Sequence, residues 1–229
     1  MDHTLLLIPA PLSASGVGTG LARRHQSRKL GHLLDAQSTI VGELLDLQRT
    51  VAEQMGAGSF AERVKLTGEI VCEEPLTAPW SGELCVAFTN TITCLMEVRT
   101  VITTTDSHGN TRTNMRWERR EQTLNSLDRR CGFKLHQGNQ ILPIEPEGAV
   151  LELKTVFTQV DPPTNGNTLI THQLGIRREE AILRPNGMVF MVAECSDASG
   201  NLQLQTPQTE GLFVVRRGNE ADFSRAIRR

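Results

Sequence analysis

The stretch Val64–Val86, VKLTGEIVCEEPLTAPWSGELCV, limits what this chain can fold into more than any other. Val64, Leu66, Gly68 and Ile70 alternate with Lys65, Thr67, Glu69 and Val71, so Val64–Cys72 reads as a strand with one largely apolar face. Pro75, Thr77, Pro79, Ser81 and Gly82 then force a loop before extended chain resumes at Leu84. A strand with one apolar face needs sheet neighbours and a second layer to cover it, and the rest of the chain supplies more strands.

Leu84–Thr105 is rich in Val, Thr and Ile, and the turn Asp106-Ser107-His108-Gly109-Asn110 separates it from Thr111–Thr123. The pair predicts a long hairpin. Its arms carry few large apolar residues beyond Phe88, Ile92, Leu95, Val98, Val101 and Trp117, so it is expected to project from the body. The returning arm holds Arg112, Arg116, Arg119 and Arg120, a candidate anion patch. The competing reading is a solvated face, because Glu118, Glu121 and Asp128 cut the field. A second hairpin, Phe133–Ile144, turns at Gln137-Gly138-Asn139. Strands follow at Val150–Val160, His172–Leu183, Met188–Cys195, Leu202–Gln205 and Leu212–Val215. The order of a strand, a hairpin and a further hairpin predicts a mainly β, antiparallel OB-like barrel, with the long hairpin inserted after the first strand.

An N-terminal amphipathic helix precedes the sheet. Ile40, Leu44, Leu47, Val51 and Met55 recur at helical spacing, with Ser38 or Thr39 as N-cap and Gly56–Gly58 as the stop. Ser59-Phe60-Ala61-Glu62 has capping-box spacing and predicts one further turn of helix. A weak terminal helix is expected over Glu220–Ile227.

Thr4–Ala22 holds no charged residue, and Arg23, Arg24, Arg28 and Lys29 follow at once. That is the layout of a membrane anchor with a cytoplasmic exit. Pro9, Pro11 and the glycines at 16, 18 and 20 argue against a good helix, so a disordered leader stays open beside a degraded anchor. The expected organisation is a leader over 1–30, a β domain over 31–216 and a polar tail over 217–229. The expected location is cytoplasmic, with membrane association through residues 4–22.

Chemistry is hard to find. No G-x-S-x-G, no phosphate-binding glycine loop and no C-x-x-C occurs, and the five cysteines are odd in number and fit buried thiols in a reducing compartment. Cys131 and His136 are five apart across a strand and so on opposite faces. The pairs Glu73-Glu74 and Glu179-Glu180 also point to opposite faces, which excludes an acid/base dyad. A net charge of −2 and the absence of Tyr weaken nucleic-acid binding. No catalytic residue, cofactor or metal is expected.

The words KLTGEI, EEPLTAP and GELCV, the GFKLHQGNQILPIEPEGA segment and the E-x-I-L of Glu180, Ile182 and Leu183 resemble the GIDE domain, also called BAM. This is the non-RING part of membrane-anchored ubiquitin ligases of mitochondria and chloroplasts, and it occurs in bacterial proteins. The resemblance runs from about Gln26 to Val215 and implies a ubiquitin-ligase label. A RING needs a ladder of Cys and His for two zinc ions, and the stretch after Val215 has neither. This chain also departs from the family at one turn, with Gln137 where the family has an acid and Gln140 where it has a glycine.

The expectation is therefore a membrane-adjacent binding or sensing module with an unidentified protein partner. Two alternatives stay open: a transferase subunit that relies on a partner, and an OB-type nucleic-acid-binding domain. The proline-braced loop Glu73–Glu83 presents Leu76 and Trp80 as a candidate partner surface. Against that stands their capping one end of the barrel core.

Overall fold

The computed structural model describes residues 36–164, 168–208 and 211–221. The Thr4–Ala22 segment and the expected terminal helix from residue 222 onward lie outside them. In chain order the elements are β1 (Gln37–Ser38), α1 (Val41–Met55), β2 (Ala61–Val71), β3 (Leu76–Thr77), β4 (Leu84–Cys85), β5 (Ala87–Thr105) and β6 (Thr111–Arg130). There follow β7 (Phe133–Gln137), β8 (Gln140–Ile144), β9 (Val150–Leu151), β10 (Lys154–Asp161), β11 (Thr171–Leu183), β12 (Met188–Ser196), β13 (Gln203–Gln205) and β14 (Val214–Arg217).

Strands β2, β7, β8, β13 and β12 pair in that order, and β12 pairs back onto β2 from Met188↔Glu69 to Ser196↔Ala61. The result is a closed five-stranded barrel. The alternation read from the sequence sets its interior: Val64, Leu66 and Ile70 of β2 are buried with Leu135, Leu142, Val189, Met191, Cys195 and Leu204. Each such fully buried aliphatic side chain contributes about 2 kcal/mol of apolar transfer. Gly68 stands where β2 passes close against β7. A Cβ there would lie 2.7 Å from the His136 carbonyl oxygen and 2.8 Å from the Leu135 side chain.

Between β2 and β7 the chain leaves the barrel for the small β3–β4 hairpin and then the long hairpin of β5 and β6. A four-stranded antiparallel sheet, β10-β11-β5-β6, results. The hairpin turns on Asp106, whose carboxylate accepts the backbone N–H groups of His108 and Asn110 at 2.9 and 2.8 Å. Its second arm runs to Arg130, seven residues past the expected end at Thr123, because it stays paired with β5 across a bulge at Leu124.

Three local readings need correction. The N-cap is Ile40, not Ser38 or Thr39, and its own side chain makes no capping bond; the Thr39 hydroxyl donates to Glu43 instead. Its buried face is Val41 and Leu44, whereas Ile40, Leu47 and Met55 are exposed. Ser59–Glu62 forms no helical turn. The Ser59 hydroxyl donates to the Met55 carbonyl and closes the preceding helix, while Ala61 already starts β2.

Gln137 explains the helix rotation. Its side-chain oxygen accepts the Val41 N–H at 2.7 Å, and its amide donates to the Thr67 carbonyl at 2.8 Å. That satisfies one of the free N–H groups at the start of α1 and ties it to β2. A carboxylate in this position could accept but not donate, so the departure at the turn has a structural consequence here. The turn itself is the two residues Gly138 and Asn139, with Gly138 at φ +61°, the left-handed region a tight hairpin requires.

Candidate functional site

The Glu73–Glu83 loop lies over the inserted sheet, not the barrel end. Leu76 packs with Ala78, Cys85, Phe88 and Ile182 in a small separate core. Trp80 is half-buried, its ring 5.8 Å from that of Phe157. Beneath them the fully buried Glu180 accepts the backbone N–H groups of Trp80 and Ser81 at 2.9 Å each and the Ser81 hydroxyl at 2.5 Å. A buried carboxylate with three donors is a structural clamp. Leu76 and Trp80 are thus partly buried against the inserted sheet, and each keeps part of its side chain open to solvent.

The four arginines of the candidate anion patch do not converge. Register places Arg112, Arg116 and Arg120 opposite Thr104, Thr100 and Met96, on one face, and Arg119 opposite Glu97 on the other. Arg116 grips Glu118 through Nε at 2.8 Å, Arg120 reaches the same carboxylate at 3.7 Å, and Arg119 reaches Glu97 at 3.4 Å. The hydrogen bonds from Arg116 and Thr100, with the charges of Arg116 and Arg120 alongside, hold the Glu118 carboxyl below its usual range. Arg116, Arg119 and Arg120 are thus each within reach of a carboxylate, and Arg112 is exposed.

The far end of the same sheet is different. Beyond Arg99, whose N–H reaches the Ile170 carbonyl, the two arms of the hairpin pair with no other strand among the described residues. There Val101 and Met115 face each other across the arms at 55% and 58% exposure. Trp117 stacks on His172 with ring centroids 4.1 Å apart, and Leu169 and Ile170 are exposed beside it. Sequence reasoning noted Trp117 and Val101 only as apolar residues of a hairpin. Their meeting with His172 and Ile170 depends on a register across three strands, which no local motif carries.

Nothing in the described residues forms a nucleophile or metal constellation. Burial raises the Cys85 and Cys131 thiols to about 11 and the Cys195 thiol to about 12, away from reactive thiolates. No group of three or more His, Cys, Asp or Glu side chains among the described residues is placed to hold a metal ion. No described helix is long and apolar enough to cross a membrane.

Against this geometry, the GIDE family, described as E3 ubiquitin ligase, matches residues 101–228. This chain belongs to the GIDE family. No curated protein and no solved structure matches it significantly. The GIDE match opens in the exposed end of β5 and takes in the returning arm β6, the β7–β8 hairpin and the E-x-I-L of β11. Helix α1, strand β2 and the proline loop lie before it, yet β2 closes the barrel and the loop supplies three donors to Glu180.

Proposed function

We propose that this GIDE chain is a non-catalytic binding module that works beside a membrane and takes a protein partner on the far end of its inserted sheet. The observation that supports this is the exposed apolar group of Val101, Met115 and Trp117 on the hairpin, with Leu169 and Ile170 just before β11, at an end of the inserted sheet that the barrel does not need for closure. Clustered exposed apolar side chains of this size mark interaction sites in soluble domains, and a stacked Trp is a typical anchor.

The ubiquitin-ligase description of the family is read here as that of a system to which this chain contributes recognition. A RING holds its two zinc ions through a Cys/His ladder, and this sequence contains no C-x-x-C pair from which to build one. The order of the barrel strands supports an OB-like description. Nucleic acid is the weaker ligand, since Arg116, Arg119 and Arg120 of the hairpin are matched by carboxylates. The membrane neighbour rests on the resemblance and on the uncharged Thr4–Ala22 run before Arg23 and Arg24.

The test is a ubiquitin-discharge assay with charged conjugating enzyme beside partner capture from the native host. Discharge by the purified chain alone would overturn the non-catalytic reading. Capture that survives Met115→Asp with Trp117→Ala, in protein of unchanged melting temperature, would overturn the surface. Full recovery in the soluble fraction, unchanged on deleting residues 4–22, would remove the membrane.

A further inference from the structure

A second feature, independent of the exposed sheet end, lies where the two sheets meet. A cleft of about 570 Å³ is lined by Glu152, Leu153, Lys154, Ile182, Arg184 and Arg217, together with Asn186. Its walls come from the β9–β10 connection, the β11–β12 turn and the end of β14, so barrel and inserted sheet each supply a side. This size and this position between packed units are those of small-ligand sites.

Its charge does not balance. Both oxygens of Glu152 are held by Arg216 at 2.9 Å, and one oxygen of Glu83 takes both Nε and Nη2 of Arg184, at 3.0 and 2.6 Å. Those two pairs neutralise the nearby carboxylates. Arg217 and Lys154 then remain, with no carboxylate partner for either among the described residues.

Arg217 is also fixed in place. Its Nη1 donates to the Asn186 carbonyl at 2.6 Å and its Nη2 to the Arg184 carbonyl at 3.2 Å. The approach is open because residue 187 is glycine: at φ +91° it has no Cβ, and one would stand 2.5 Å from Arg217 Nη1. Of the five N–H donors of a guanidinium, these bonds occupy two, so an edge of the fork remains for a ligand. Burial and the neighbouring Arg184 both act against the charged form of Arg217, which is the imbalance an anion relieves.

We propose that this cleft binds a phosphate monoester, with the Arg217 fork and the Lys154 ammonium on the phosphate oxygens and the organic part against Leu153 and Ile182. Two surplus cations match a phosphate dianion better than a single carboxylate, and a fixed guanidinium meets phosphate in bidentate geometry. The phosphate could belong to a soluble metabolite or to a lipid head group.

The full chain is titrated calorimetrically with inorganic phosphate and with glycerol 3-phosphate, and by flotation with phosphatidylcholine vesicles with and without phosphatidic acid. The expected result is saturable, salt-sensitive binding of glycerol 3-phosphate that weakens at least tenfold in Arg217→Gln and in Lys154→Gln. Flotation with phosphatidic acid vesicles that Lys154→Gln abolishes assigns the phosphate to lipid; glycerol 3-phosphate binding without flotation assigns it to a soluble ester. Lys154 is exposed, so its variant is expected to keep the wild-type melting temperature. No binding to any of these probes, or binding unchanged in the Lys154 variant, overturns the proposal.

Discussion

Glu180 Oε2 accepts the backbone N–H of Trp80 at 2.9 Å, although the two residues are a hundred positions apart. With the two bonds from Ser81, this makes β11 the seat on which the proline loop rests. Replacing Glu180 by Ala leaves three donors with no acceptor in a buried site. The expected cost is about 3 kcal/mol in chemical denaturation, with Glu180→Gln losing less because one acceptor oxygen remains. An Ala variant as stable as wild type would show that the loop is held by packing alone.

That packing has its own prediction. Leu76 joins Ala78, Cys85, Phe88 and Ile182, and Trp80 rests on Phe157. The double variant Leu76→Ser, Trp80→Ser is expected to lose on the order of several kcal/mol and to melt visibly lower. A melting temperature close to wild type would return both side chains to the role of exposed anchors.

The end of the long hairpin should behave in the opposite way. Among the described residues Thr100–Thr105 and Thr111–Arg116 pair with no strand but each other, and most of their side chains are exposed. Replacing residues 100–116 with a two-residue Asn-Gly turn is expected to leave the melting temperature within about 2 °C of wild type while removing Val101 and Met115 from the proposed partner surface. A large loss of stability would mean that the hairpin supports the body and is not simply displayed by it.

These contrasts follow what the sequence could and could not say. Alternation over Val64–Ile70 and the turn residues at Asp106–Asn110 and Gly138–Asn139 act locally, so the strands, both hairpins and the barrel order were legible. Ser59–Glu62 was misread because its capping pattern is local while the forces on it are not. Phe60 is drawn into the core, and its N–H is taken by Asp197, 137 residues away. The face of α1 was misjudged for the same reason, since Gln137 fixes Val41 from another element. Glu180 was visible in the sequence as part of the E-x-I-L pattern, but its partners, a hundred positions away, were not. The cleft at Arg217 could not be read at all, because it depends on which carboxylates Arg184 and Arg216 occupy.

Asp197 offers a test by pH. It is 3% exposed, and it joins three elements: Oδ1 accepts the Phe60 N–H and Oδ2 the Gln48 side-chain amide, each at 2.9 Å. The bond from Gln48, followed by backbone N–H groups that include that of Phe60, holds its carboxyl below the ordinary value of 3.8 against the opposing effect of burial. A carboxyl with a lower pKa in the native state favours folding while it is ionised. Its contribution is complete above the unfolded value and is lost as pH falls through the lower native one. Asp197→Asn should therefore melt below wild type at pH 7, and the gap should narrow as the pH drops under 4, where wild type loses the same charge. Gln48→Ala should narrow the gap in the same window while leaving the Phe60 bond in place. Melting curves of wild type and both variants from pH 7 down to pH 2.5 decide it. A constant gap across that range would mean that Asp197 holds α1 to the barrel by shape and hydrogen bonding, with no part played by its charge.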